Sequence, residues 1–431
     1  MDNREIMQSS IDYIEENLKA EITVQELADM AGFSIFHYYR VFHSVLGMPV
    51  MQYILRRRLL YGIYDISRGA QKIDVAMQYG FDTYAGFYKA FKRELGYTPS
   101  EFLKKYKVKE PYHINLIKEE TIMVTHKKIA EILKHWGLQE EAVQDIYYED
   151  TGNHNENAYY VGTEYVIKFS PNLGRVIKHI ELSEAISKVG LMGATVVKTQ
   201  DGKDFVEEEA LYFYLTKRIS GKAMKASDIF QGNYSSDGRF IGEIIGQLHL
   251  ALQEVDCEVS DVNLYENVKN WALPKAKEIV ELSPEVCNEY TEVFGKVYDK
   301  LPKQIIHRDP NPGNIITSAD SWGFIDFELS ERNIRIFDPC YAATAILSEG
   351  FAENDAEKLG KWIEIYKNIF YGYSSIVNLS EEEIQAVPYV VLSNQLVCIA
   401  WLSEQDKYQD ILEVNKQMTK WIIDNFNELK L

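Results

Sequence analysis

Three polar side chains stand in a short run whose spacing fits phosphoryl-transfer chemistry. His307, Asp309 and Asn314 form an H-x-D-x-x-x-x-N pattern, and Asp326 later begins a D-F-E run after apolar residues. A carboxylate at the position of Asp309 can align a hydroxyl and accept its proton. Amide and carboxylate oxygens are ligands that Mg²⁺ prefers. The pattern predicts a phosphoryl-transfer loop followed by a metal-binding aspartate.

Each residue of this pattern has an expected role. The catalytic set is Asp309, Asn314 and His307, in which Asp309 takes the hydroxyl proton and His307 supports the loop rather than acting as a base. Asn314 and Asp326 are the expected metal ligands. Glu328 is open to two interpretations, a second metal ligand or a cap of the turn.

A loop of this kind needs an upstream lobe that binds the nucleotide. Residues 159–169 have the pattern of a hairpin that ends in a V-I-K strand, so Lys168 is the candidate to pair with the α- and β-phosphates. A helix is expected over residues 176–189. Glu181 or Glu184 of that helix would orient Lys168 through an ion pair, and Glu181 is preferred.

Two more segments complete the predicted nucleotide site. Residues 150–157 form the turn expected to cover the phosphates, although the turn has one glycine. Residues 211–221 are predicted as a strand that runs into a hinge, where backbone groups at Arg218 and Ile219 would hold the adenine. His249 lies on an apolar helical face, which favours a hydrogen-bonded core histidine over a ligand.

Residues 1–107 show a different pattern, two successive helix-turn-helix units. Thr23 caps a short helix, and Gly32 turns the chain into a second helix that begins at Ser34. The second unit repeats this order around Gly80. The second helix of such a pair is the one that enters the major groove of DNA.

These two units resemble the DNA-binding domain of AraC-type transcription regulators over residues 4–106. The matching residues are Leu27-Ala28, Gly32-Phe33-Ser34, Phe42, Gly47, Tyr53-Ile54, Arg58-Leu59, Ile73, Ala76, Gly80-Phe81, Phe87, Phe91-Lys92 and Gly96-Tyr97-Thr98-Pro99. The resemblance implies that a linking helix over residues 49–67 holds two recognition helices in successive major-groove turns. By position, the groove-facing side chains are Phe36, Tyr39, Arg40, Tyr84, Ala85, Gly86 and Lys89. Arg40 and Lys89 are the strong polar base readers in this set.

Several basic residues near the two units have two possible roles. Each of them is as consistent with a phosphate contact as with a solvated or salt-bridged position: Arg56, Arg57, Arg58, Lys92 and Arg93. The charge of residues 1–107 permits a local DNA-binding face, because 14 Lys and Arg balance 13 Asp and Glu. The whole chain has a net charge of −19, so the remainder is strongly acidic and is expected to repel DNA and favour cationic small molecules.

The C-terminal part resembles the aminoglycoside phosphotransferase and choline kinase-like family over about residues 126–400, through Lys168, the loop at 307–314 and Asp326. The resemblance implies a protein-kinase-like bilobal fold, ATP, Mg²⁺ and transfer to a hydroxyl of a small molecule. The loop departs from the pattern at Arg308, where many members have glycine.

The predicted fold is therefore multidomain, an all-α double helix-turn-helix domain followed by an α+β protein-kinase-like bilobal domain. The predicted boundaries are 1–110 for the DNA-binding domain, 111–221 for the nucleotide lobe and 222–431 for the catalytic lobe with the acceptor pocket. Aromatic residues of the last helices are expected in that pocket: Trp362, Tyr366, Tyr389 and Trp401.

Cysteine usage and hydropathy indicate a cytoplasmic protein without a membrane segment. The four cysteines are far apart and have no C-x-x-C pair, which is typical of reduced thiols. The apolar stretch over residues 386–402 is interrupted by Ser393-Asn394-Gln395, so a buried helix explains it better than a membrane span.

Two functional hypotheses follow. The first is a DNA-binding transcription regulator fused to an ATP- and Mg²⁺-dependent phosphotransferase, which acts on a hydroxyl of a small cationic molecule such as an aminoglycoside or amino alcohol. The second is a regulator whose kinase-like domain is a catalytically silent ligand sensor. A protein kinase is disfavoured, because residues 326–338 leave no room for a long activation segment. The fusion also suggests that ligand occupancy and DNA binding are coupled.

Overall fold

The computed structural model describes residues 2–118, 122–149, 152–319, 321–405 and 408–431. The chain forms two compact units. The first contains Met1–Pro171 and Val197–Thr216, and the second contains Asn172–Val196 and Lys217–Leu431. Helices and strands are numbered below in chain order.

The first unit begins with a helical region. Its helices are α1 (Asn3–Glu16), α2 (Val24–Met30), α3 (Ile35–Leu46), α4 (Val50–Ser67), α5 (Lys72–Gln78), α6 (Tyr84–Leu95) and α7 (Pro99–Lys105). The predicted Thr23 cap is present, because its hydroxyl accepts a hydrogen bond from Glu26 N–H. The hydroxyls of Ser34 and Thr83 likewise accept hydrogen bonds from the first turns of α3 and α6. The buried aromatic residues of the core include Tyr38, Phe42 and Phe87. The double helix-turn-helix prediction is confirmed.

A mixed region of one helix and a sheet completes the first unit. The helix is α8 (His126–Leu133), which continues as a 3-10 turn over Lys134–Trp136. The strands are β1 (Val143–Tyr147), β2 (His154–Val161), β3 (Tyr165–Ser170), β5 (Val196–Val197), β6 (Val206–Glu208) and β7 (Leu211–Lys217), in the order β1-β2-β3-β7-β5 with β6 paired to β7. The predicted β2–β3 hairpin forms with Lys168 opposite Ala158.

The second unit contains the remaining elements. Its helices are α9 (Leu173–Lys188), α10 (Ala226–Gln231), α11 (Tyr234–Gln253), α12 (Leu264–Asn267), α13 (Leu273–Ile279), α14 (Pro284–Glu289), α15 (Gly295–Tyr298), α16 (Phe337–Ser348), α17 (Ala356–Ile376), α18 (Glu381–Leu402) and α19 (Gln409–Asp424). Its strands are β4 (Met192–Gly193), β8 (Lys222–Ala223), β9 (Lys303–Ile306), β10 (Ile315–Thr317), β11 (Trp322–Phe324) and β12 (Glu331–Ile334). The small sheets have the orders β4-β11-β10-β8 and β12-β9. The mixed α+β composition confirms the predicted fold class.

Among the described residues, helix α18 is long and apolar enough to cross a membrane. However, 72% of its apolar window is buried inside the protein. Its polar residues Ser393, Asn394 and Gln395 are also buried, and Gln395 Nε2 donates to Asn415 Oδ1 at 2.9 Å. The helix is therefore part of the core of the second unit, as the sequence predicts.

Candidate functional site: a phosphoryl-transfer loop and two recognition helices

The catalytic-loop residues lie between strands β9 and β10 of the second unit. The loop leaves β9 at His307 and returns through a 3-10 turn over Pro312–Asn314 into β10. The backbone of Asn314 closes this turn with a hydrogen bond from its N–H to Asn311 O at 2.9 Å. The turn therefore brings the side chain of Asn314 back toward the start of the loop.

Asp309 is held by amide donors on both of its carboxylate oxygens. Asn311 Nδ2 donates to Asp309 Oδ1 at 2.8 Å, and Asn314 Nδ2 donates to Asp309 Oδ2 at 3.1 Å. Burial raises the pKa of Asp309, and the nearby Asp326 charge adds to the rise, while hydrogen bonds from Asn311 and Tyr341 oppose it. A fixed carboxylate with a raised pKa is a better proton acceptor than an ordinary aspartate.

His307 supports the loop through both of its ring nitrogens. The ring is fully buried, and Nε2 donates to the carbonyl oxygen of Ile325 at 2.9 Å. Nδ1 then acts as an acceptor for the backbone N–H of Asp309 at 3.3 Å. With both nitrogens engaged in backbone contacts, the imidazole is positioned as a brace between the loop and the strand that leads to Asp326.

The sequence interpretation missed Asp338, which anchors the loop by accepting hydrogen bonds from its backbone. This fully buried carboxylate accepts the backbone N–H groups of His307 at 2.8 Å and Arg308 at 3.0 Å. It also contacts Nε2 of His249 at 2.9 Å, whose Nδ1 contacts the hydroxyl of Tyr373 at 2.8 Å. His249 is therefore the hydrogen-bonded core histidine that the sequence predicts. The sequence does offer one signal for Asp338: it is an acidic residue between apolar neighbours, shortly after the D-F-E run.

Asp326 lies beyond β11 in a strained backbone conformation. Its φ is 70°, which is uncommon for a residue other than glycine. The flanking residues fix this geometry, because Ile325 N–H donates to Asn314 O at 3.0 Å and Phe327 N–H donates to Nδ1 of His179 at 3.3 Å. Strained residues that the surrounding structure fixes in this way are concentrated at functional sites.

Asn314 and Asp326 carry oxygen atoms of the kind that Mg²⁺ binds. Asn314 uses Nδ2 as a donor to Asp309, which leaves its carbonyl oxygen as the atom that can bind a cation. In the described part of the chain, no three His, Cys, Asp or Glu side chains form a group that could hold a metal alone. Mg²⁺ is usually bound by one or two protein oxygens together with substrate phosphates.

The predicted nucleotide-binding residues occupy several elements. Lys168 is a buried residue of β3 in the first unit. Glu181 lies on α9 of the second unit, where its Oε2 accepts a hydrogen bond from Cys257 Sγ at 3.1 Å. Arg218 and Ile219 follow the end of β7. In the turn expected to cover the phosphates, residues 150 and 151 lie outside the described part of the chain.

The predicted groove-facing residues lie in the first two turns of α3 and α6. Phe36 is 83% exposed and Tyr39 is 39% exposed, although large aromatic side chains are usually buried. The exposed positions also include Arg40, Ala85, Gly86 and Lys89, whereas Tyr84 is half-buried. The N-terminal turns of both helices therefore present an accessible surface.

The structure decides the open question for three of the basic residues. Arg56 and Arg57 are buried and form ion pairs with Asp145 and Glu15, respectively. Arg58 donates to two backbone carbonyl groups. These three guanidinium groups stabilise the fold and are engaged within the protein.

Three of the four aromatic residues expected in the acceptor pocket, Trp362, Tyr366 and Tyr389, are buried in the core of the second unit, whereas Trp401 is exposed. Trp362 and Tyr366 are fully buried, and their polar atoms donate to the carbonyl oxygens of Ala343 and Leu429. Helix periodicity could not separate a core aromatic from one that lines a pocket. Tyr341, which the sequence interpretation did not single out, is close enough to Asp309 to lower the pKa of that carboxyl.

Comparisons with known proteins agree with both parts of this architecture. Residues 150–368 match the phosphotransferase enzyme family, and residues 27–105 match a helix-turn-helix domain. The HTH-type transcriptional activator AarP of Providencia stuartii is 37% identical over 89 residues, which are 20% of this chain and 66% of AarP. The regulatory protein SoxS of Salmonella typhimurium is 29% identical over 103 residues, which are 24% of this chain and 96% of SoxS.

Solved structures show the same fold for the larger part. A microcompartment-associated aminopropanol kinase has a TM-score of 0.54 at 15% identity, over 70% of this chain and 98% of that chain. The amicoumacin kinase hAmiN, solved in complex with AMP-PNP, Ca²⁺ and Ami, has a TM-score of 0.50 at 16% identity, over 70% of this chain and 95% of that chain. This chain therefore belongs to the phosphotransferase enzyme family and joins a kinase-like fold to an AraC-type helix-turn-helix domain.

Proposed function

We propose that this protein is a transcription regulator that also transfers the γ-phosphoryl group of ATP to a hydroxyl of a small molecule. The observation that carries the proposal is the paired support of Asp309, whose two carboxylate oxygens accept hydrogen bonds from Asn311 and Asn314. A carboxylate held in this way is ready to orient a hydroxyl and to accept its proton.

In the proposed reaction, the acceptor oxygen forms a bond to the γ-phosphorus as the bond to the leaving ADP oxygen breaks. Asp309 takes the proton that the hydroxyl releases. Lys168 holds the α- and β-phosphates, and Glu181 supports Lys168 in the binding conformation. Backbone groups at Arg218 and Ile219 hold the adenine. His307 keeps the loop in register and touches no reacting atom.

Asn314 and Asp326 would hold Mg²⁺, which when bound neutralises charge on the phosphates. The hard oxygen donors of these two residues support this assignment, and so does the fixed amide orientation of Asn314. The strained backbone of Asp326 is a further reason to expect a functional role there.

A cationic acceptor is the proposed substrate class. The whole chain carries a net charge of −19, and residues 1–107 contribute none of that excess. An acidic protein attracts cationic small molecules and repels anionic ones. One structural relative is an aminopropanol kinase, whose name denotes an amino alcohol. Amino alcohols and aminoglycosides are therefore the first compounds to test.

We also propose that residues 1–107 bind double-stranded DNA through Phe36, Tyr39, Arg40, Tyr84, Ala85, Gly86 and Lys89. The N-terminal turns of both recognition helices are accessible, which a groove contact requires. Arg40 and Lys89 would make the polar base or phosphate contacts, and the aromatic and small residues would contact thymine methyl groups.

The test of the enzyme is Mg²⁺-dependent ADP release by the full-length protein with a panel of amino alcohols, aminoglycosides and hydroxy amino acids. Acceptor-stimulated turnover is expected for at least one class, and Asp309→Asn should lower it by about 10² to 10⁴-fold. The matched control is Asp261→Asn, because the side chain of Asp261 is 82% exposed. That control should keep wild-type turnover.

The alternative function is a kinase-like domain that senses a ligand without catalysis. It is favoured if calorimetry detects ATP binding while no acceptor stimulates ADP release. Equal residual turnover in the wild-type protein and in Asp309→Asn would also favour the sensing function. Absence of both nucleotide binding and turnover would contradict the proposed enzyme and the nucleotide-sensing alternative together.

A further inference from the structure

The turn expected to cover the nucleotide phosphates is in contact with the chain segment that follows the DNA-binding helices. Gly152, the glycine of this turn, has a φ of 71°, and a Cβ atom there would lie 1.9 Å from the carbonyl oxygen of Lys107. No side chain fits at such a distance without a backbone shift. The glycine therefore permits close packing of the turn against residue 107, in addition to any role near phosphates.

Polar contacts with the same segment continue on the C-terminal side of Gly152. Lys109 Nζ donates to Asn153 Oδ1 at 3.1 Å, and the hydroxyl of Tyr112 donates to Glu156 Oε1 at 3.1 Å. The backbone of the turn is closed by a hydrogen bond from Gly152 N–H to Tyr148 O at 2.7 Å. The segment after α7 thus contacts strand β2 of the β1–β2 hairpin and the residue that precedes it.

Strand β1 of the same hairpin packs on aromatic residues of the DNA-binding region. The ring of Tyr147 lies 4.8 Å from that of Phe102 and 5.4 Å from that of Tyr106, measured between centroids. Phe102 belongs to α7, which begins with the Thr98-Pro99 cap. Both strands of the hairpin are therefore supported by residues from the C-terminal end of the DNA-binding region.

The base of the hairpin is fixed by a buried charge cluster around Asp145 on β1. Arg56, from the helix α4 that links the two recognition helices, forms an ion pair with this carboxylate. His126 Nε2 lies 2.7 Å from Asp145 Oδ1, and His154 Nε2 lies 3.2 Å from Oδ2. Burial acts to raise the pKa of Asp145, but the Arg56 charge and the two neighbouring histidines outweigh it and hold the pKa well below its ordinary value.

The same hairpin leads directly to the phosphate-binding lysine. Strand β2 pairs with β3, and Ala158 of β2 lies opposite Lys168. A nucleotide on Lys168 would thus restrict the β2–β3 pair, which is continuous with the hairpin that α4 and α7 contact. Ordering an element once lowers the conformational cost of a second ligand that needs it ordered.

We propose that the β1–β2 hairpin couples nucleotide binding to DNA binding, so that each ligand strengthens the binding of the other. This inference rests on the proposed function, because it requires that the nucleotide occupies the site at Lys168. Thermodynamic linkage then requires a reciprocal effect: DNA must raise nucleotide affinity by the same factor by which nucleotide raises DNA affinity. We expect a factor of about five, at the lower end of usual coupling free energies.

The test measures both affinities with the full-length protein. A labelled duplex, selected from a random library by the wild-type protein, is titrated by fluorescence anisotropy with and without saturating Mg²⁺ and AMP-PNP. Calorimetry then measures AMP-PNP affinity with and without that duplex. The two factors should agree. A change of less than twofold, or weaker DNA binding in the presence of AMP-PNP, would overturn the inference.

A double variant removes two side-chain hydrogen bonds to the hairpin and leaves the buried cluster around Asp145 intact. Lys109→Ser with Tyr112→Phe deletes the hydrogen bonds to Asn153 and Glu156, and we expect the coupling factor to fall toward one while each separate affinity is retained. The matched control is Lys19→Ser with Tyr79→Phe, since both of these side chains contact Asp65 instead.

The experiment separates the failure of this inference from the failure of the proposed function. If calorimetry detects no AMP-PNP binding in the absence of DNA and none in its presence, the nucleotide site itself is wrong. If AMP-PNP and DNA both bind but do not influence each other, only the coupling is wrong. Coupling that persists unchanged in the Lys109 and Tyr112 double variant would exclude this surface as its path.

Discussion

Arg308 stands in the catalytic loop at a position with left-handed backbone geometry, where its φ is 78°. This conformation is disfavoured by the Cβ atom of any residue other than glycine, which explains the glycine that the family pattern leads one to expect. Here local contacts of Arg308 offset the backbone strain. Its backbone N–H donates to Asp338, its Nε lies 3.2 Å from Glu331 Oε1, and its guanidinium lies 4.4 Å from the centre of the Phe337 ring.

Two substitutions at Arg308 separate backbone strain from side-chain contacts. Arg308→Ala and Arg308→Gly both delete the contacts with Glu331 and Phe337, but glycine alone relieves the left-handed strain. We expect Arg308→Gly to be more stable than Arg308→Ala by about 1 kcal/mol, as measured by urea unfolding. Equal stability, or a more stable alanine variant, would show that the backbone at this position is not strained.

The raised pKa of Asp309 predicts the acid limb of the pH–rate profile. The proposed base works only when ionised, so kcat/KM should fall as pH drops through a pKa that lies above the ordinary 3.8. Asn311 lowers this pKa through its hydrogen bond, so Asn311→Ala should move the acid limb to higher pH. Ser318→Ala, at an exposed position in the same region, is the control. An acid limb that stays in place or moves to lower pH would contradict the assignment of Asp309 as the base.

The sequence singled out candidate reactive side chains but not what supports them. The spacing of Asp309, Asn314 and Asp326 could be recognised because phosphoryl-transfer chemistry restricts both residue type and position there. Asp338 accepts hydrogen bonds from backbone N–H groups. Almost every residue type has such a group, so the types of the bonded residues give no sign of this role. The contact between Glu181 and Cys257 likewise depends on chain folding that local spacing does not determine.

At the scale of single helices, the recognition surface depends on the first turns of α3 and α6. Arg40 lies on α3, is exposed and has its Nη2 3.4 Å from Nδ1 of His37. If it reads a base, Arg40→Ala should weaken binding to a selected duplex by about 1 to 3 kcal/mol while leaving binding to an unrelated duplex nearly unchanged.

The matched control for Arg40 is Arg68→Ala, which removes the same charge from an exposed position at the end of α4. This control should affect both duplexes equally, because a lost charge alone changes only the electrostatic part of binding. Anisotropy titrations at one fixed salt concentration measure both effects. Equal losses on the two duplexes for Arg40→Ala would reassign this residue to a phosphate contact.

Helix boundaries were predictable because caps are local. Ser34 and Thr83 each bind a backbone N–H three residues away, so their effect can be seen in the sequence. The burial of two arginines on α4 was not predictable. Arg56 and Arg57 are paired with Asp145 and Glu15, which are distant in the chain. A run of three arginines has the same appearance in a sequence whether it faces DNA or an internal carboxylate.

At the scale of the whole molecule, the boundary predicted near residue 110 can be compared with the compact units. The first unit contains Met1–Pro171, so the DNA-binding helices and the β1–β3 strands pack as one body. The segment expected to be a join contributes Ile114 and Leu116 to the core of the helical region, and both are fully buried. Composition gave no sign of this packing, because a mixed, proline-containing segment is typical of a linker.

The last prediction concerns the stability of the whole protein when nucleotide and metal are bound. A ligand that binds only the folded state raises the free energy of unfolding by about 2.7 kcal/mol at a hundredfold excess over its Kd. Mg²⁺ with AMP-PNP should therefore raise Tm, and EDTA should abolish most of this shift because the phosphates then lack their metal. Asp326→Asn should behave as EDTA does. Asparagine tolerates the left-handed backbone at position 326, where φ is 70°, so the variant should fold normally without ligand. A nucleotide-dependent shift that survives both EDTA and this substitution would show that Asp326 binds no metal.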